Sequence, residues 1–164
     1  MPFSGPAPYQ IAVIVTPRFN LATTTAFLDP FRVANYLNGN TLFRWSIHAT
    51  TPGPTEASSG MSLATDPLST IPDKPDLAVV SSSWTPEEYG AEPLLARLRK
   101  WARMGAMLGG LDTGAFLLAK AGLLDGRRAT VHYEHLDAFA ELFPEVDATE
   151  DLFVMDTERL TCCG

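Results

Sequence analysis

The sequence consists of short, nearly uninterrupted apolar segments that alternate with amphipathic ones. Residues Tyr9–Thr16, Asp76–Val80 and Ala106–Leu111 are apolar almost throughout. Such runs are typical of strands that are covered on both faces, as in a parallel sheet. Residues Phe43–Ala49 instead alternate apolar and polar side chains, which predicts a half-buried strand.

Four segments carry apolar residues at helical spacing: Thr23–Leu37, Pro93–Met104, Ala115–Ala121 and a segment near His135–Phe143. Pro30 lies inside the first of them and is predicted to kink that helix or to open a second one. Strands and helices that alternate in this way predict an α/β fold. The expected architecture is an open, mainly parallel sheet with helices on both faces and right-handed crossovers.

Three shorter regions complete the chain. The segment Thr51–Gly60 is rich in proline, glycine and serine, which predicts a loop or a small hairpin. Leu152–Asp156 and Arg159–Cys162 are predicted to be short strands, and the sequence stops directly after the second. Because an α/β sheet is normally covered by helices, we expect residues 1–164 to form one domain that lacks its last helix, within a longer polypeptide.

Composition narrows the possible functions. Of the 164 residues, 46% are hydrophobic, and the formal net charge is −7. A surface this acidic repels phosphate backbones, so the domain is not expected to bind nucleic acid by itself. No apolar run approaches the roughly 18 residues that a membrane span needs. The only cysteines, Cys162 and Cys163, are neighbours that cannot join distant parts of a fold, which predicts a reducing, cytoplasmic setting.

The segment Gly109–Phe116 (GGLDTGAF) carries the strongest chemical signal. A buried strand, a glycine-flanked turn and an apolar helix form the pattern of a nucleophile elbow. Such an elbow projects one side chain into a cleft at the carboxyl ends of the strands. Here that side chain is Asp112, and a helix N-terminus favours its charged carboxylate. The alternative is that Asp112 is an ordinary helix N-cap, a common role for aspartate.

A histidine cluster follows the elbow in the sequence. His132 is a candidate to orient or deprotonate a group beside Asp112. As metal ligands, His132, Glu134 and His135 are poorly spaced and lack a companion, so we predict no metal site and no cofactor.

Two aromatic residues follow predicted strands. Trp84 comes after the serine run at the end of a central strand, and Phe19 lies in the loop after the first strand. At such positions an aromatic ring is either part of the core or one wall of a pocket. The pattern leaves both interpretations open.

Together these segments resemble a known family. The run LGGLDTGAFLLAKAGLLDGRRATVHYEHLDAFAELFPEV and the later DLFVMDTERLTCCG closely resemble the N-terminal sensor domain of AraC-type transcriptional regulators of the GlxA kind. The opening YQIAVIVTPRFNLATTTAFLDPFRVAN is similar to the first strand and helix of that domain. The domain belongs to the ThiJ/PfpI, class I glutamine amidotransferase-like superfamily, and the resemblance implies a flavodoxin-like, three-layer sandwich.

The resemblance also carries expectations about chemistry. In the enzymes of this superfamily the elbow holds a cysteine nucleophile and a histidine follows the next strand; these positions correspond to Asp112 and His132. Because the cysteine is replaced, the resemblance implies a domain that is not an enzyme. The Asp-Thr-Gly elbow looks like that of regulators that respond to carnitine, glycine betaine and related amino compounds, or arginine. In such relatives a last helix and a DNA-binding helix-turn-helix pair follow the TCCG stretch, so contact with DNA is expected only through a domain absent from this chain.

A specific site follows from these observations. We expect a small amine or zwitterion to bind at Asp112 and Thr113, with His132 and the aromatic residues Phe19, Trp84 and Tyr133 nearby. The rings would stabilise the cation, and the helix N-terminus would hold a carboxylate of the ligand. Ligand binding would then reorient DNA-reading domains across a homodimer.

Two alternatives remain open from the sequence. The first is a PfpI-like hydrolase or hydratase that uses Asp112 in place of the usual cysteine, with His132 activating water. The second is a purely structural dimerisation domain, which predicts no open pocket at Asp112. Geometry at this residue distinguishes the three hypotheses.

Overall fold

The apolar runs of the sequence form the centre of the sheet. A computed structural model describes residues 8–164, which contain a seven-stranded sheet of order β10-β11-β7-β6-β1-β2-β5. All neighbouring strands in it are parallel except β10 and β11. The strands are β1 (Tyr9–Val15), β2 (Phe43–Ala49), β3 (Thr55–Glu56), β4 (Ser62–Leu63), β5 (Asp66–Pro67), β6 (Leu77–Ser82), β7 (Met107–Asp112), β8 (Arg128–Ala129), β9 (Asp147–Ala148), β10 (Phe153–Asp156) and β11 (Arg159–Cys162).

Helices lie on both faces of this sheet, so the predicted α/β sandwich with a mainly parallel sheet is confirmed. The α-helices are α1 (Leu21–Asn38), α2 (Glu92–Arg103), α3 (Gly114–Lys120) and α4 (Leu136–Leu142), and 3-10 helices span Leu68–Thr70, Pro86–Glu88 and Tyr133–His135. Alternate residues of β1 enter two separate cores. Ile11 and Val13 pack on the α1 side, and Ala12 and Ile14 pack on the side of α2 and α3. No helix in the described part of the chain is long and apolar enough to span a bilayer.

Several local predictions can be compared with the observed elements. Pro30 is exposed within a single helix, so the predicted second helix does not form. The Thr51–Gly60 region contributes β3, which pairs with β4 and confirms the small hairpin. His48 was expected on the polar side of β2 but is buried. Its ring nitrogens lie 2.7 Å from Ser46 Oγ and 3.2 Å from the Pro67 carbonyl, because β5 pairs with this end of β2.

On the α1 side of the sheet, the part formed by β10 and β11 is not covered by any described helix. We define the outer apolar face as Phe153 and Met155 of β10 with Leu160 and Cys162 of β11. The strands pair Phe153 with Cys162 and Met155 with Leu160. Phe153 and Met155 are largely exposed. Beside them an apolar cleft of about 310 Å³ extends to the flank of α1. The sheet therefore presents two apolar rows that no described element covers.

Candidate functional site

The nucleophile elbow is present, and its apex is Asp112. Asp112 ends β7 with φ +59°, a left-handed conformation that non-glycine residues rarely adopt. A Cβ atom on Gly110 would lie 2.6 Å from the backbone nitrogen of Ala115, and one on Gly114 would collide with the Val80 carbonyl oxygen. Only glycine at these two positions allows α3 to approach the sheet this closely.

Asn20 holds the carboxylate of Asp112. Its side-chain nitrogen donates a hydrogen bond of 2.9 Å to Asp112 Oδ2, and its Oδ1 accepts a 3.1 Å bond from the backbone N–H of Thr23. Asn20 is thus the N-cap of α1 and the anchor of Asp112 at once. The N-cap of α3 is Thr113, and no side chain caps that helix, so the alternative that Asp112 caps its own helix is wrong.

Asp112 borders a cavity of about 230 Å³ at the carboxyl ends of the strands. The aspartate itself is only 2% exposed. Glu134 adds a second carboxylate, whereas no lysine or arginine within residues 8–164 lines the cavity. The lining residues are Asn20, Ser58, Ser83, Trp84, Asp112, His132, Glu134 and His135. The arrangement provides an acidic, partly aromatic cavity that is suited to a small cation.

His132 lies beside Asp112. Its backbone N–H donates to the Asp112 carbonyl at 3.3 Å, and its Nδ1 accepts a 3.4 Å hydrogen bond from the backbone N–H of Glu134. A Cβ built on Gly164 would lie 3.4 Å from His132 Cδ2 and 3.6 Å from Asp112 Oδ2, so the last residue sits next to both side chains. With Nδ1 used as an acceptor, the Nε2 edge of the ring is the one left to meet a ligand.

The structure brings together Asp112, His132 and Trp84 of the six predicted residues, and the other three lie elsewhere. Trp84 is 53% exposed. Thr113 is fully buried, and its hydroxyl donates to the Ser83 carbonyl at 2.6 Å, so it braces the loop after β6.

Two predicted aromatic walls also lie outside the cavity. Phe19 is completely buried in the α1-side core, because the hairpin residue Ser58 donates to its carbonyl oxygen and the hairpin covers it. Tyr133 is 74% exposed and borders a neighbouring cavity with Leu136 and Glu150.

Other lining residues were not predicted as ligand contacts: Asn20, Ser58, Ser83, Glu134 and His135. For Asn20 the sequence does contain a signal. It is an N-cap type of residue directly before a helix, and it follows β1, whose carboxyl end lies at the same edge of the sheet as the end of β7.

Neither thiol chemistry nor metal binding has support at this place. Burial raises the pKa of the Cys163 thiol, with further increases from Cys162 and Asp112, so this thiol is a poor nucleophile near neutral pH. Across residues 8–164, no three His, Cys, Asp or Glu side chains are grouped so that they could hold a metal ion.

The double role of Asn20 leads to a stability prediction. Asn20→Ala is expected to lower the free energy of unfolding by about 1–2 kcal/mol, since the cap of α1 and the bond to Asp112 are both lost. Asn20→Ser retains a capping oxygen and should lose about half as much. Urea unfolding of the two variants measures the difference, and an unchanged Asn20→Ala protein would contradict the anchoring role.

Comparison with known proteins supports the resemblance. No protein-family model matches the chain. It is 40% identical over 151 residues to the HTH-type transcriptional regulator CdhR of Pseudomonas aeruginosa, covering 92% of this chain and 45% of the regulator. It is 32% identical over 156 residues to the HTH-type transcriptional regulator GlxA of Rhizobium meliloti, covering 94% of this chain and 48% of GlxA. The chain thus spans about half the length of these relatives.

Solved structures agree with these relatives. An AraC family transcriptional regulator from Pseudomonas putida superposes with a TM-score of 0.85 at 28% identity, covering 96% of this chain and 84% of that one. A ThiJ/PfpI family protein from Pseudomonas syringae, at 22% identity and a TM-score of 0.79, covers 100% of this chain and 69% of that one, and shows the shared fold. The chain is therefore homologous, over more than nine-tenths of its length, to part of HTH-type, AraC-family transcriptional regulators, and it has the fold of the ThiJ/PfpI proteins.

Proposed function

We propose that this domain senses a small amine or zwitterion, which binds in the Asp112 cavity without being chemically converted. The observation that carries the proposal is the buried carboxylate of Asp112, which faces a cavity and is held by the neutral amide of Asn20. No cationic side chain of residues 8–164 is paired with this carboxylate, so it gains most from a ligand that supplies the opposite charge together with hydrogen bonds.

The other walls favour the same class of ligand. Glu134 adds negative charge to the cavity, and the indole of Trp84 offers a π-face, a contact that contributes on the order of 0.5–2 kcal/mol with a cation. A cavity of about 230 Å³ is smaller than the sites of drug-sized ligands, which run from about 300 Å³ upwards. The ligand is therefore a small metabolite such as a betaine, carnitine or an amino acid.

Absence of catalysis is supported by the elbow residue. Asp112 occupies the position at which the enzymes that this domain resembles carry a cysteine. The backbone N–H of Glu134 lies 3.4 Å from His132 Nδ1, and Glu134 Oε2 lies 3.9 Å from the same nitrogen, so the turn of His132 itself engages that side of the ring. CdhR and GlxA, to which the chain is similar, are transcriptional regulators.

The proposal extends to the whole protein. Since the relatives are HTH-type regulators about twice as long as the matched part, we propose that DNA contact takes place through a further domain. We also propose that the protein acts as a homodimer in the cytoplasm. The outer apolar face supports a domain that is completed by one more helix, because its two apolar rows on β10 and β11 fit the side of an amphipathic helix.

Calorimetric titration with glycine betaine, carnitine and arginine tests the ligand class. Asp112→Asn keeps the size of the side chain and an oxygen for Asn20 but removes the charge. It is expected to weaken binding about tenfold to a hundredfold, as a lost charge-assisted hydrogen bond does. Asp73→Asn is the matched control, because Asp73 is an exposed carboxylate paired with Lys100 away from the cavity. Equal affinity of Asp112→Asn and wild type, or no binding by wild type, would refute the proposal.

A further inference from the structure

We infer that Arg18 binds the carboxylate group of a zwitterionic ligand whose cationic end lies at Asp112. The inference rests on the proposed function and adds the second pole of the site. The juxtaposition that carries it is a guanidinium with no acidic partner among residues 8–164, placed over the ring of the tryptophan that lines the Asp112 cavity.

The backbone of Arg18 is held in an uncommon conformation. Arg18 lies in the loop between β1 and α1 with φ +62°. Its N–H donates to the Glu56 carbonyl at 2.8 Å, and the carbonyl of the next residue accepts from Ser58 N–H at 3.0 Å. Left-handed backbone is unfavourable for an arginine, so the hairpin contacts maintain a conformation that the residue alone would rarely adopt.

This conformation sends the side chain to the edge of the cavity. The guanidinium carbon lies 5.8 Å from the centre of the Trp84 ring. Trp84 lines the cavity, and so do Ser58 and Asn20 on the hairpin and loop that hold Arg18. The guanidinium therefore lies beside the wall that Trp84 forms, just outside the lining of the cavity.

The guanidinium of Arg18 has N–H donors that no carboxylate within residues 8–164 engages. Four other arginines make ion pairs with carboxylates: Arg32, Arg99, Arg127 and Arg128. No carboxylate within residues 8–164 lies at ion-pair distance from Arg18. Stacking on an indole leaves the N–H groups of a guanidinium in the ring plane, where they can bind a carboxylate through two parallel hydrogen bonds.

Within residues 8–164, no lysine or arginine among the lining residues competes with Arg18 for the ligand carboxylate. The buried Asp112 repels it from the inner end of the cavity, and the exposed Glu134 repels it on the side of His132. The N-terminus of α3, which the sequence suggested for this role, belongs to a seven-residue helix whose first residues Gly114 and Ala115 are buried. A zwitterion is thus oriented with its cation inward and its carboxylate at the rim.

Glycine betaine and choline test this orientation, because both carry a trimethylammonium group and only betaine has a carboxylate. We expect the wild type to bind betaine about tenfold more tightly than choline. Arg18→Gln should remove this preference and leave the affinity for choline within about twofold. Arg103→Gln is the control, since Arg103 is exposed, makes no ion pair with any carboxylate in the described part of the chain, and lies at the end of α2, at the opposite edge of the sheet.

The outcomes separate the two proposals. Equal affinity of the wild type for betaine and choline overturns the role of Arg18 without any variant, as does an Arg18→Gln protein that keeps the betaine preference or loses both ligands equally. When one of these outcomes overturns the role of Arg18, the proposed function still stands provided that Asp112→Asn weakens the binding of both ligands. Wild-type protein that binds neither compound overturns both.

Discussion

Gly114→Ala is expected to lower the free energy of unfolding by about 3 kcal/mol or more, an overpacking effect at the upper end of its usual range. A methyl group on Gly114 would collide with the carbonyl oxygen of Val80, an atom of the rigid central strand β6. A side chain can rotate away from such a collision, but a sheet carbonyl cannot. The only relief is to move α3 away from the sheet, which opens the core and displaces Asp112.

A second glycine provides the matched control for this variant. Gly39 ends α1 with φ +68°, and nothing lies within 4 Å of a Cβ built on it. Gly39→Ala should therefore lose only the backbone cost of a left-handed alanine, roughly 1 kcal/mol. Chemical denaturation of both variants measures the difference, and equal losses would show that the close approach of α3 is not needed.

Phe19→Ala is expected to cost about 3–5 kcal/mol of unfolding free energy, the usual loss for a large aromatic residue removed from a core. Phe19 has no exposed surface and packs in the α1-side core, and its carbonyl holds the hairpin through Ser58. The variant leaves a cavity between the loop after β1 and the hairpin, which both border the site. We expect ligand binding to weaken only to the extent that the loss of the ring disorders the loop after β1.

Tyr133→Ala serves as the comparison, because Tyr133 was the other candidate aromatic wall and is 74% exposed. Its replacement should change the unfolding free energy by less than about 0.5 kcal/mol. Thermal and urea unfolding of the pair give the measurement. A small loss for Phe19→Ala would mean that the ring is not a core residue and would reopen its assignment as a pocket wall.

The main elements of the fold could be predicted because parallel strands covered on both faces must be apolar throughout. This is why β1, β6 and β7 are recognisable, and why the glycines around Asp112 predict the elbow. The two-residue strands β5, β8 and β9 are too short to produce a pattern. His48 is buried because β5 pairs with the end of β2, so the burial of His48 could not be predicted from the sequence either.

The candidate site could be predicted only in part. Asp112 and His132 are recognisable because they follow strands, and strand ends meet at one edge of a parallel sheet. The side-chain directions of Phe19 and Tyr133 depend on loop conformations that no periodic pattern encodes. The bond between Asn20 and Asp112 joins residues 92 positions apart, and it exists only once two loops have folded against each other.

The outer apolar face has a consequence for handling the protein. Copies of the chain repel one another through a net charge of −7, and salt shortens the reach of that repulsion to about 8 Å at physiological ionic strength. Sulfate and similar salts also strengthen apolar association, so they bring the exposed rows of β10 and β11 of different copies together. We therefore expect dilute buffers to disfavour this association, and they equally preserve the attraction of the acidic cavity for a cation.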